Sequence, residues 1–151
     1  MKIVVQSAGF DLGAEVGAMR RDRTDIGAIA SFVGLARDLN EGSGVAAMTL
    51  EHYPGMTEKA LGRLVDEAKS RWTLLDVTVI HRIGRLLPGD PIVLVVVASS
   101  HRGEAFAACE FIMDYLKTQA PFWKKEETPA GERWVEARAS DDAAAARWDP
   151  P

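Results

Sequence analysis

Apolar positions along the chain change period several times, and each change marks an element. Residues 2–6, "KIVVQ", read as a short strand. "IGAIASFVGLAR" (26–37) is rich in β-formers, and "DLNEGSG" (38–44) carries the Asp, Asn, Gly and Ser of turn chemistry. "VAAMTLEHY" (45–53) alternates like a half-buried strand, so 26–53 is predicted to be a β-hairpin. The spacing then becomes helical: Ala60, Leu61, Leu64, Val65, Ala68 and Trp72 fall on one face, with Thr57 as the expected N-cap. Two strands follow, 76–84 and 90–100, joined by "RLLPG"; the second, almost wholly β-branched and apolar, has the make-up of a central strand.

A second long helix is predicted over 102–117, with Ala105, Cys109, Ile112 and Leu116 on its apolar stripe and Ser99 and Ser100 as caps. Pro121 ends it, because the residue before a proline resists the α region. "GERWVEAR" (131–138) alternates like an edge strand, and 140–148 reads as a short terminal helix capped by Ser140. Strands and helices in this order give an α+β class. The absence of repeats or a long linker makes 1–151 a single domain.

Composition narrows the function classes. The 151 residues are 47% hydrophobic and 26% charged, and 18 Lys+Arg against 22 Asp+Glu leave a net charge of −4. That balance argues against nucleic acid as a partner. The longest apolar run, "PIVLVVVASS", is far short of a membrane span, and the N-terminus lacks signal-peptide character, so a cytoplasmic protein with no membrane association is expected. Cys109, the one cysteine, excludes an internal disulfide and falls on the apolar stripe, where it reads as core. No metal-ligand spacing, Walker loop or G-x-G-x-x-G occurs.

The cations are unevenly placed, and several stand beside motif-like stretches. In "SSHRGEAF" a strand gives way to a helix at His101 and Arg102, where free backbone N–H groups already favour an anion. Arg82 and His81 close the strand before, in "HRIG", and read either as surface groups or as ligand contacts. Arg37 stands at a strand-to-loop junction, either a binding residue or half of an Arg37–Asp38 surface pair. In "DYLKTQAPFWKKEE" three lysines accompany Tyr115, Phe122 and Trp123. If successive residues alternate, one of Lys124 and Lys125 shares the side of Phe122 and the other that of Trp123. An ammonium group desolvated there would have its pKa lowered from ~10.4 and could move protons. Equally, lysine stems can cover aromatic faces with their heads in water.

In this order, "FVGLARD", "LEHYPGM", "HRIG", "SSHRGEAF", "DYLKTQAPFWKKE" and "GERWV" make the chain resemble the large, catalytic subunits of molybdopterin synthase, from Lys2 to Trp148. The resemblance implies an α/β hammerhead-type fold and a homodimer. Each protomer would bind a small ubiquitin-like sulfur-carrier subunit, giving a heterotetramer. It further implies sulfur transfer from the thiocarboxylated Gly-Gly tail of that subunit to cyclic pyranopterin monophosphate, which forms the dithiolene of molybdopterin. No cofactor is expected. Carried over by motif, Lys117 and Lys124 are the catalytic lysines. Arg37 is the pocket arginine, His101 and Arg102 bind the phosphorylated pterin, and Lys125 and Arg82 are further substrate contacts. Ala36 departs from the valine expected there, and the chain ends "RWDPP" with no Gly-Gly, so the sulfur is expected from a separate partner. Two rival readings share the basic pocket: a docking module for the tail, and an enzyme for another phosphorylated heterocycle.

Overall fold

A computed structural model of the protein describes every residue except 41, 136–138 and 150–151. Its elements in chain order are β1 (Lys2–Gln6), α1 (Leu12–Arg20), β2 (Ala28–Leu35), β3 (Leu39–Asn40), β4 (Ser43–Gly44), β5 (Ala47–His52) and α2 (Met56–Arg71), then β6 (Asp76–Arg82), β7 (Gly84–Leu86), β8 (Pro91–Ser99), α3 (Arg102–Gln119), β9 (Phe122–Thr128), β10 (Gly131–Val135) and α4 (Ala139–Ala146). One sheet has the order β1-β6-β8-β2 and the other β10-β9-β5-β7. Only the β1–β6 pair is parallel among their ladders; the rest are antiparallel. This is the α+β, hammerhead-type class that the sequence predicts.

Burial on both faces explains why β8 is apolar throughout rather than alternating. Val93, Val95 and Val97 face α2 and α3, packed with Leu61, Val65, Phe111 and Ile112. Leu94, Val96 and Ala98 face the other way, against Met19 of α1. That helix was not read from the sequence, yet it covers the second face of the sheet. Asp11 caps it by accepting a hydrogen bond from the Ala14 N–H at 2.7 Å.

The hairpin expected over 26–53 does not form. Strand β2 pairs along its length with β8, whereas β5 lies between β7 and β9 in the second sheet. The connection is too long for a tight turn and carries its own β3–β4 ladder. Its start is tied to the β7–β8 turn, with Ala36 N–H donating to Asp90 at 2.9 Å and Gly89 N–H donating to Ala36 at 2.7 Å. The chain changes sheets again at Gly84, whose φ of 88° suits glycine, and β7 then pairs with β5. Ala36 itself is buried, packed with Met48, Leu50 and Leu86.

Three helix starts also differ from expectation. Helix α2 starts after Gly55, whose N–H is taken by Glu58 at 2.6 Å, while the buried Thr57 hydroxyl lies 3.1 Å from the Tyr53 carbonyl and 3.2 Å from that of Pro121. Helix α3 starts after His101 with no side-chain cap, and the Ser99 hydroxyl donates instead to the Thr73 carbonyl at 2.9 Å. At the C-terminus α4 begins at Ala139, one residue before the expected cap, Ser140. The edge strand β10 ends at Val135, and the remainder of the expected 131–138 strand lies outside the described residues.

Trp148 returns to the core, edge-to-face with Trp72 and Phe111, and its indole N–H donates to Asp114 at 2.6 Å. Phe111 is fully buried at the centre of this cluster. Phe111→Ala is expected to destabilise the fold by about 3–5 kcal/mol, read from urea unfolding. A loss below ~1 kcal/mol would show that the cluster does not anchor the terminal segment.

Candidate active site

Residues of both sheets, of the loop after β2 and of the end of α3 line a cavity of about 310 Å³. Arg37 follows β2, Lys117 sits in the last turn of α3, and Lys124 projects from β9; all three line that cavity. Lys124 is half-buried, while Lys117 and Arg37 are exposed. Lys117 also lies where a cation complements the negative end of the helix.

Alternation along β9 sorts its two lysines. Phe122, Lys124 and Glu126 face the cavity. Lys125 points to the opposite side, where its ammonium lies 3.5 Å from Glu132 and 5.5 Å from the centre of the Trp134 ring. The Lys125 ammonium is therefore held outside the cavity, between a carboxylate and the face of an exposed indole ring.

Two further polar residues stand in the cavity wall: Glu126, which is not among the expected site residues, and His81, which the sequence leaves open between a surface group and a ligand contact. Glu126 is 3% exposed and accepts from Asn40 Nδ2 at 3.0 Å and from Arg133 Nη2 at 3.2 Å. It ties β3, β9 and β10 together and brings a negative charge to the cation cluster. His81, 5% exposed, stacks on Phe122 with ring centres 3.8 Å apart. Its Nδ1 lies 2.8 Å from the Arg82 carbonyl oxygen, which can only accept, so Nδ1 carries the proton. Burial first, then the charges of Lys117 and His52, bring the His81 pKa down to about 4. The imidazole is neutral at physiological pH.

The remaining expected residues lie elsewhere. Of the "HR" pair at the end of β6, the cavity takes His81. Arg82 donates to the Ser7 carbonyl at 3.1 Å and to the Pro91 carbonyl at 3.1 Å, clamping strand ends. His101 and Arg102 are exposed at the N-terminus of α3. At about 1.5 Å per residue the helix separates Arg102 from Lys117 by about 22 Å. Among the described residues no group of His, Cys, Asp and Glu could hold a metal ion, and no helix is long and apolar enough to cross a membrane.

Two sheets with an arginine and two lysines gathered from separate elements around a small cavity define an α+β protein suited to a small anionic ligand. Comparison with known proteins is more specific. The MoaE protein family model matches residues 5–119. The molybdopterin synthase catalytic subunit of Ralstonia nicotianae is 67% identical over 146 residues, spanning 97% of this chain and 83% of that protein. A molybdopterin biosynthesis MoaE protein from Burkholderia ambifaria superposes with a TM-score of 0.84 at 62% identity, over 97% of each chain. A chain in the complex of subunits 1 and 2 of molybdopterin-converting factor from Helicobacter pylori shares the fold, with a TM-score of 0.71 at 20% identity over 91% of this chain and 90% of that one. The chain belongs to the MoaE family, that of the molybdopterin synthase catalytic subunits.

The buried imidazole has a consequence for acid stability. Its folded-state pKa of about 4 lies below the ordinary 6.5 that it regains on unfolding, so between these values the unfolded chain binds more protons. The resulting penalty is absent above pH 6.5, grows as pH falls and reaches roughly 3 kcal/mol near pH 4. Urea unfolding across this window is expected to show a shallower loss of stability in His81→Phe than in the wild type. Parallel curves would contradict the buried neutral imidazole.

Proposed function

We propose that this chain, in the cytoplasm, transfers sulfur from the thiocarboxylated C-terminal glycine of a small ubiquitin-like subunit to cyclic pyranopterin monophosphate, building the dithiolene of molybdopterin. The observation that carries the proposal is the gathering of Arg37, Lys117 and Lys124 around one cavity in a member of this family. Both proposed reactants are anions, and a narrow cationic cavity attracts both. The Helicobacter pylori relative, seen as a complex of two subunits, supports a small-subunit partner here.

In the proposed reaction the thiocarboxylate sulfur attacks a pterin side-chain carbon and displaces the cyclic-phosphate oxygen bonded to it, and a second thiocarboxylated tail delivers sulfur to the neighbouring carbon, whose oxygen leaves as water. Cleavage of the acyl–sulfur bond by water then leaves sulfur on the pterin and a carboxylate on the tail. Opening of the cyclic phosphate requires a proton for the departing oxygen, and Lys117, which lines the cavity from the last turn of α3, donates it. Lys124, half-buried on β9, and Arg37, in the loop after β2, hold the tail and the pterin in place. The His101–Arg102 pair remains the proposed ligand of the pterin phosphate. With about 22 Å of helix between it and Lys117, it reaches the same substrate from the second copy of a homodimer. Two chains with two small subunits then make a heterotetramer. Arg82 and Lys125, engaged with backbone carbonyls and with Glu132, have no part in this arrangement.

The test is product formation from cyclic pyranopterin monophosphate and a thiocarboxylated small subunit, followed by fluorescence of the oxidised product. Lys117→Ala is expected to lower turnover by about 10²–10⁴-fold while the small subunit still binds. Arg37→Ala is expected to lower kcat/KM by about tenfold, the worth of one charge-assisted hydrogen bond. Full turnover in Lys117→Ala would refute the assignment, and binding without any product in the wild type would make the chain a docking module.

A further inference from the structure

His81 has an acceptor that the fold leaves unused. Its one hydrogen bond among the described residues is Nδ1–H to the Arg82 carbonyl, which leaves the Nε2 lone pair without a donor. No buried side-chain nitrogen or oxygen among the described residues lacks a partner, so Nε2 is not sealed in the interior. It opens on the cavity that His81 lines. The ring cannot turn away easily, because Phe122 stacks on it and the Arg82 carbonyl fixes its other nitrogen.

Lys117 presents the complementary case. Its ammonium has no hydrogen bond or ion pair with any described residue, and it lines the same cavity. The other charged groups around His81 are already engaged or differently placed. His52 of β5 pairs with Glu58 at 3.8 Å, and Glu126 accepts from Asn40 and Arg133. Arg37, Lys124 and Asp141 line the cavity from other elements.

We propose that His81 is a positioning residue for Lys117: its Nε2, kept as a bare acceptor by the anchored Nδ1–H, takes a hydrogen bond from the Lys117 ammonium and aims that group at the oxygen that departs when the cyclic phosphate opens. A carboxylate in this place would pair with the lysine and hold its proton. An imidazole that stays neutral orients the ammonium and leaves its charge available to the anionic substrates. The proposal rests on the sulfur-transfer reading above, in which Lys117 is the proton donor.

Single-turnover rates with thiocarboxylated small subunit and cyclic pyranopterin monophosphate test it, in the wild type, His81→Phe, His81→Gln, Lys117→Ala and the Lys117→Ala/His81→Phe double variant. Phenylalanine keeps the stack on Phe122 and removes the acceptor, whereas glutamine restores an acceptor at similar reach. His81→Phe is expected to slow the chemical step by about tenfold with the KM for the pterin little changed, as for loss of one hydrogen bond to a charged group. His81→Gln is expected to recover most of the rate, and His81→Phe is expected to cost nothing further once Lys117 is gone. A wild-type rate in His81→Phe, or the same tenfold loss on top of Lys117→Ala, overturns the role. If His81→Phe does not fold, His81→Gln decides: a near-wild-type rate supports the role and a tenfold loss overturns it. Absence of product with the wild-type chain overturns the sulfur-transfer reading, and this role with it. Product with an unmoved His81→Phe rate removes only the role of His81.

Discussion

Arg37, Lys117 and Lys124 carry like charges and repel one another, so their meeting at one cavity has to be imposed by the elements that bear them. A loop leaving β2, the last turn of α3 and the strand β9 belong to different layers and are fixed by different parts of the core. The repulsion is moderated by Glu126, buried in the cavity wall and held by Asn40 and Arg133. What remains is a positive site that an anion relieves. The cavity exists because residues of both sheets and of α3 meet around it.

Two of the chain's crossings between the sheets are fixed by local backbone geometry. One follows Ala36, tied to the β7–β8 turn, and the other is the positive-φ Gly84. Both crossings place polar groups at strand ends, where backbone is available to fix them. His81 illustrates the result: its ring is bonded to the adjacent carbonyl and stacked on Phe122, the residue that begins β9. A buried neutral acceptor and a buried carboxylate thus stand beside the exposed cations of one small site.

The long helices, the central strand β8 and the opposite facing of Lys124 and Lys125 were legible in the sequence, because each depends on local period alone. The hairpin over 26–53 was misread because alternation reports which face of a strand is buried and not which strand lies beside it. Helix α1 went unread because its nine residues, "LGAEVGAMR", include two glycines and place only Val16 and Met19 in the core. The choice between His81 and Arg82 stayed open for a similar reason: a strand-end pair faces two ways, and only the assembled sheets show that the cavity takes His81. His101 and Arg102 sit far along α3 from Lys117, a separation visible as soon as 102–117 is read as one helix.

The convergence of the three cations on an inserted anionic tail is tested most directly by a crystal structure of the chain bound to its small subunit. The tail's terminal carboxylate is expected in the cavity, within about 3 Å of the Lys117 or Lys124 ammonium. A tail laid across the outer face of the second sheet, against Trp123 and Trp134 with the cavity empty, would contradict it.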